Sequence, residues 1–127
     1  MKTILVDAAK AFVVNGKVDE DLYNLLETYE NPKVILTNAN EEQLVEFGIV
    51  DMPYEVFTLK HNPDKTDPKY FRKFLDEYNL EVSDVVYFEH SQEAVDSAES
   101  LGIATFFYDS NEKDLSALKE FLDSNLE

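Results

Sequence analysis

The sequence predicts an α/β fold in which a parallel sheet carries helices on both faces. Three observations lead there. Short apolar runs rich in β-branched residues recur along the chain without alternating apolar and polar positions, the pattern of strands buried on both faces. Segments with apolar residues at helical spacing separate those runs. The runs also stop abruptly on polar side chains: Thr3 to Val6 on Asp7, Val34-Ile35-Leu36 on Thr37, and Val85 to Phe88 on Glu89 and His90. In an open parallel sheet the C-terminal strand ends face the ligand crevice. The spacing therefore sets Asp7, Thr37, Glu89 and His90 along one edge.

Taken in order, the first strand is Thr3 to Asp7, followed by Ala11 to Val18, where Asn15-Gly16 reads as a hairpin turn between apolar residues. Asp19 or Asp21 is the cap expected for a helix whose apolar face is Leu22, Leu25, Leu26 and Tyr29. Asn31-Pro32 closes it. The second strand runs from Lys33 to Leu36 and ends in Thr37. Asn40 and Gln43 have capping-box spacing ahead of a short helix with Leu44, Val45 and Phe47 on its apolar face and Gly48 at its end. A loop through Met52-Pro53 leads to a third strand, Tyr54 to Leu59. After the polar loop Lys60 to Lys65, Asp67-Pro68 opens a helix with Tyr70, Phe71, Phe74, Leu75 and Tyr78 inward. The fourth strand is Asp84 to Glu89. Ser91 is the expected cap of a helix that turns Val95, Ala98 and Leu101 inward and ends at Gly102. A fifth strand, Ile103 to Tyr108, precedes a last helix expected over Asn111 to Ser124, with Leu115, Leu118, Phe121 and Leu122 buried.

With 127 residues the chain is expected to form one domain, residues 1–127, with a full hydrophobic core. The formal net charge of −16, from 27 acidic and 11 basic residues, argues against nucleic acid and anionic membranes, which need a basic footprint. An acidic surface keeps a small protein dispersed, and it also suits a basic protein partner. A phosphate-bearing ligand would be repelled at long range, so any phosphate site has to be built locally. No apolar run approaches a membrane span, and Met1-Lys2-Thr3 lacks a signal-peptide core. Without cysteine there is neither disulfide nor thiolate metal site, and a cytoplasmic location is expected. With only 3 glycines there is no glycine-rich phosphate loop or dinucleotide fingerprint.

Read together, ILVDAA (Ile4 to Ala9), VILT (Val34 to Thr37), Lys65 in KTDP, and VVYFEHS (Val85 to Ser91) resemble, in order and at suitable intervals, the motifs of the haloacid dehalogenase (HAD) superfamily. The resemblance spans nearly the whole chain and is strongest from Lys65 to Tyr108, which is similar to the phosphatase and phosphoglucomutase branch. It implies a Rossmann-like HAD core, a five-stranded parallel sheet of order 3-2-1-4-5, without a cap domain. It further implies that Asp7 is a nucleophile forming an aspartyl-phosphate, with Thr37 and Lys65 holding the transferring phosphoryl and Ala8 and Asn38 beside it. Asp7, Glu89 and the positions of Ala9 and His90 match the metal site, so Mg2+ is the implied cofactor, and the ligand a phosphorylated small molecule or protein. Zn2+, Mn2+ or Fe2+ held by Asp7, Glu89 and His90 is the alternative.

Three departures from the family pattern bear on activity. The family's second motif-one acid, its general acid-base, is Ala9 here; phosphonatases share that alanine but depend on a cap-domain lysine. His90 stands where an aspartate is expected, and a neutral imidazole suits Mg2+ poorly. Lys10 replaces the usual glycine, its ammonium either near the pocket or in solvent. Glu89 has a second reading, as a partner for Lys65 alone. Lys60-His61-Asn62 reads as a surface loop that could reach the pocket mouth. Three functions follow: a slow or specialised phosphohydrolase, a catalytically silent relative binding a phosphorylated ligand or protein in the same cleft, and a metal-independent C–X bond hydrolase.

Overall fold

A computed structural model describes residues 1–126. Its sheet is built from β1 (Thr3–Asp7), β4 (Lys33–Thr37), β5 (Glu55–Thr58), β6 (Val85–Glu89) and β7 (Ala104–Phe107). Every pairing is parallel and the order is β5-β4-β1-β6-β7, the order expected. A small hairpin, β2 (Val13–Val14) with β3 (Lys17–Val18), follows β1. Its turn, Asn15-Gly16, has positive φ at both residues, which is why asparagine and glycine stand there.

The helices are α1 (Glu20–Leu26), α2 (Glu41–Glu46), α3 (Pro68–Tyr78), α4 (Gln92–Glu99) and α5 (Leu115–Asn125), with one 3-10 turn over Val82–Asp84. Strand alternation divides the core in two. Ile4, Val6, Ile35, Val86 and Phe88 pack against Leu22 and Leu26 of α1 and Leu118 and Leu122 of α5. Leu5, Val34, Leu36 and Tyr87 face the other way, onto Tyr70, Phe71 and Phe74 of α3 and Ala98 of α4. β1 and β6 are buried throughout, as their unalternated apolar runs require. The outer strands β5 and β7 are partly exposed and one residue shorter at each end than the sequence predicts.

Local signals placed most termini. Asp19, not Asp21, caps α1, its side chain accepting from the Leu22 amide at 3.1 Å. Asn40 and Gln43 form the reciprocal capping box of α2. Asp67 caps α3 ahead of Pro68.

Three expectations are corrected. α2 buries none of its residues completely: Leu44 packs half-buried against the core, while Val45 is 70% exposed and Phe47, just past the helix, 40%, because a six-residue helix cannot turn a full apolar face to the core. Ser91 stands at the start of α4, but its hydroxyl caps nothing; its amide is instead held by Glu89 Oε2 at 3.1 Å. The last helix starts at Leu115 rather than Asn111. Asp109 Oδ1 gathers the amides of Asn111 and Glu112 into a turn, Lys113 has φ +47°, and Asp114 then caps the helix through the Ala117 amide. No helix among the described residues is long and apolar enough to cross a membrane.

Candidate active site

The two carboxylates at the centre of the sheet converge because of strand periodicity. Asp7 follows Leu5 and Glu89 follows Tyr87 at a spacing of two residues, so both point to the face covered by α3 and α4. Both are 1% exposed. Lys65, in the loop before α3, reaches between them. Its Nζ donates to Asp7 Oδ1 at 2.9 Å, to Glu89 Oε1 at 2.8 Å and to the Leu36 carbonyl at 3.3 Å, using all three ammonium protons. His90 closes the other side: its amide donates to Asp7 Oδ2 at 3.0 Å and its ring Nδ1 bonds the same oxygen. Nδ1 also lies 3.3 Å from Glu89 Oε2. The Tyr87 hydroxyl donates to Glu89 Oε1.

This cluster sets its own ionisation. Burial and the charge of Glu89 push Asp7 upward, against Lys65 and His90. Burial would raise Glu89 too, but Lys65 and the hydrogen bonds around it hold that carboxyl well below its usual range. Two like charges at close range thus split, one up and one down. Burial alone would lower Lys65; Asp7 and Glu89 outweigh it and keep the ammonium charged. Hydrogen bonds to Asp7 and Glu89 lift His90 to about 9, against the cost of its burial. Tyr87 is raised by burial and by Glu89, and stays a phenol.

The cluster floors a cavity of about 260 Å³. Thr37 and Asn38, at the end of β4, form one wall, and Phe47, His61 and Ala9 stand around it. The Thr37 hydroxyl accepts from the Ala39 amide at 3.2 Å, which leaves its proton free to donate. Asn38 Oδ1 accepts from the Lys65 amide at 2.7 Å, so this side chain positions the lysine loop. His61 reaches the mouth from its exposed loop, bonding Asp64 and Gln43. Asp7, Thr37, Asn38, Lys65, Glu89, His90 and Ala9 are therefore brought together. Ala8 is not. It is fully buried, it does not line the cavity, and its amide donates to the Leu36 carbonyl at 3.3 Å, because the sheet ladder continues one residue past β1. Lys10 is exposed, at positive φ, and lines shallow hollows beside the β2–β3 hairpin instead of this cavity.

The sequence reading missed two tyrosines. Tyr87 was legible, since it lies two residues before Glu89 on the same strand face. Tyr70 was not: its hydroxyl shares its one proton between the carbonyls of Thr37 at 2.8 Å and Phe57 at 3.2 Å, tying the ends of β4 and β5, and helical spacing marks it only as core.

No family model matches the chain, and no curated protein does. Solved structures do. An uncharacterized protein from Corynebacterium glutamicum is 23% identical with a TM-score of 0.66, over 97% of this chain and 96% of that one. A HAD family enzyme from Bacteroides thetaiotaomicron, an Asp-to-Ala mutant in complex with magnesium and inorganic phosphate, is 12% identical with a TM-score of 0.68, over 93% and 98%. The chain has the HAD-like fold. A third neighbour is the D,D-heptose 1.7-bisphosphate phosphatase from B. bronchiseptica, complexed with magnesium and phosphate: 18% identical, TM-score 0.62, over 98% and 99%.

Magnesium in two neighbours raises the question of fit to this site. Asp7, Glu89 and His90 do offer ligand atoms within 4.8 Å of one another. Magnesium, however, demands octahedral oxygen ligation. Two of the four carboxylate oxygens are each met by two donors, Asp7 Oδ2 by the His90 amide and ring and Glu89 Oε1 by Lys65 and Tyr87, while Asp7 Oδ1 has Lys65 and Glu89 Oε2 the Ser91 amide. His90 contributes nitrogen where oxygen is wanted, and the Ala9 side chain contributes only a methyl group. The donor set does not fit magnesium.

Proposed function

We propose that the protein is a HAD-like phosphohydrolase with Asp7 as nucleophile, slow, and suited to phosphate monoesters or acyl phosphates whose leaving group departs easily. The observation that carries this reading is the Lys65 ammonium fixed between Asp7 and Glu89 on the floor of a cavity walled by Thr37 and Asn38. A phosphoryl group entering there meets a carboxylate to attack it, a fixed positive charge, and two side-chain donors, the Thr37 hydroxyl and the Asn38 amide. Phosphate-bound neighbours with this fold support the same assignment.

In this reading an Asp7 oxygen bonds to phosphorus as the bond from phosphorus to the leaving oxygen breaks. Oδ2, held by His90, must shed that donor to attack, whereas Oδ1 stays with Lys65. Ala9 has no proton to give, so the leaving oxygen takes one from water. Water then attacks the aspartyl-phosphate, releasing inorganic phosphate and restoring the carboxylate. Lacking a positioned acid-base forfeits about 10²–10⁴-fold in rate, which is why aryl and acyl phosphates are the favoured class. The natural ligand is a phosphorylated small molecule or protein.

The test is hydrolysis of p-nitrophenyl phosphate and acetyl phosphate, with and without magnesium, by the wild type and by Asp7→Asn. Turnover above the Asp7→Asn background, with a trappable phosphoenzyme, is expected. Equal rates would overturn catalysis.

A second reading, a silent phosphate-binding relative, is favoured by the engagement of both Asp7 oxygens and by Ala9. It predicts phosphate-induced NMR shifts at Ala9 and Asn38 with no turnover. The C–X bond hydrolase predicts metal-free activity on halo-acids instead.

A further inference from the structure

We infer that Lys65 and His90 together occupy the place of a divalent cation, so that this cleft takes its phosphoryl ligand without metal. The anion half of the inference rests on the phosphohydrolase reading above; the metal half does not.

The geometry is that of a closed set of partners. Lys65 spends all three protons inward, on Asp7, Glu89 and the Leu36 carbonyl. His90 sets both its amide and its ring nitrogen on Asp7 Oδ2, and that ring nitrogen lies 3.3 Å from Glu89 Oε2. The ring thus sits against the two carboxylates that, with it, offer ligand atoms within 4.8 Å of one another. An ion entering between them would crowd the His90 amide and ring on Asp7 Oδ2, the Ser91 amide on Glu89 Oε2, and the Lys65 ammonium on the other two oxygens. Amides at a strand end cannot swing away as side chains do, and Lys65 is 6% exposed with its own amide pinned by Asn38. Removing Lys65 from its partners would strand buried charge, the most costly kind of rearrangement in a protein interior. On the cavity side, His90 keeps a side chain that is 23% exposed and lines the pocket, so its ring can face an incoming anion. Positive charge is therefore already built into the site, and an anionic ligand needs no ion to carry it in.

The experiment has two arms on the full chain. In the first, Mn2+ is the probe and the free-ion electron paramagnetic resonance signal is read. The wild type is expected to reduce the signal no more than Asp7→Asn does, since surface carboxylates are the same in both, and His90→Asp to reduce it further by restoring oxygen ligands. Uptake by the wild type that is lost in Asp7→Asn would overturn the inference, as would a His90→Asp variant that is folded by circular dichroism yet takes up no Mn2+. Should His90→Asp fail to fold, the wild-type and Asp7→Asn comparison decides.

In the second arm, inorganic phosphate is titrated by amide NMR in EDTA and in millimolar Mg2+. The dissociation constants are expected to agree within about twofold. Phosphate binding tightened by about tenfold or more in Mg2+ would overturn the inference. Absence of phosphate binding in both buffers would overturn the phosphoryl reading, and the Mn2+ arm would still judge metal exclusion by itself.

Discussion

Lys60 and Lys65 belong to one loop, and each holds its ammonium 2.9 Å from a carboxylate oxygen, on Glu41 and on Asp7. The two pairs differ in everything but length. The side chains of Lys60 and Glu41 are 55% and 81% exposed, those of Lys65 and Asp7 7% and 1%. Water screens the first pair and competes for both partners, so its geometry says little about stability. The second has no water to fall back on. Asp7 and Glu89 keep the Lys65 ammonium charged against its burial, Lys65 and His90 oppose the upward push on Asp7, and Tyr87 completes the set. A salt bridge is informative where losing one partner leaves the other unpaired, and in this chain that place is also the floor of the cavity.

The contrast can be pressed experimentally. The largest effect is expected from Lys65→Met, which takes from the buried Asp7 and Glu89 the ammonium between them, leaves His90 to face both, and should cost about 3–5 kcal/mol in urea unfolding. A loss no greater than that of an exposed lysine would break the comparison. Next comes pH. His90 is raised from 6.5 to about 9 in the folded state. Its stabilisation is therefore complete below about 6.5 and is lost as pH rises through about 9. Unfolding midpoints should fall across that window in the wild type and stay flatter in His90→Gln. Glu89, depressed in the folded state, contributes in the opposite sense: its share is present above its ordinary 4.5 and disappears as pH falls through the depressed value. A smaller effect is expected from Asn38→Ala, which strips the acceptor from the Lys65 amide and should cost about 1 kcal/mol in the same urea assay. Lys60→Ala should leave the unfolding midpoint within experimental scatter.

What the chain announced in advance follows the same division. The central strands were legible because Ile4 to Val6 and Val85 to Phe88 are buried on both faces, and burial on both faces writes itself as an unbroken apolar run. Their polar ends then located Asp7, Thr37 and Glu89, and the resemblance added Lys65. The failures lie where local pattern and tertiary context part. Leu44, Val45 and Phe47 have helical spacing, yet of the three only Leu44 packs half-buried on the core, because α2 is too short to turn the others inward. Ala8 neighbours the nucleophile position in sequence, but strand register spends its amide on Leu36. Ser91 has the side chain of a cap, and Glu89 takes over its amide. Most consequential is His90, read as one ligand among several. Its ring and amide both close on Asp7, a contact between residues 83 positions apart that no window of sequence contains.

The central claim is that this closed cluster is a phosphoryl site. Its most direct test is a crystal structure grown with saturating inorganic phosphate. The account predicts the anion in the cavity beside Asp7, within hydrogen-bond distance of the Thr37 hydroxyl and the Asn38 amide, with His90 turned toward it. A cavity that stays free of phosphate while His90 remains closed on Asp7 would contradict it.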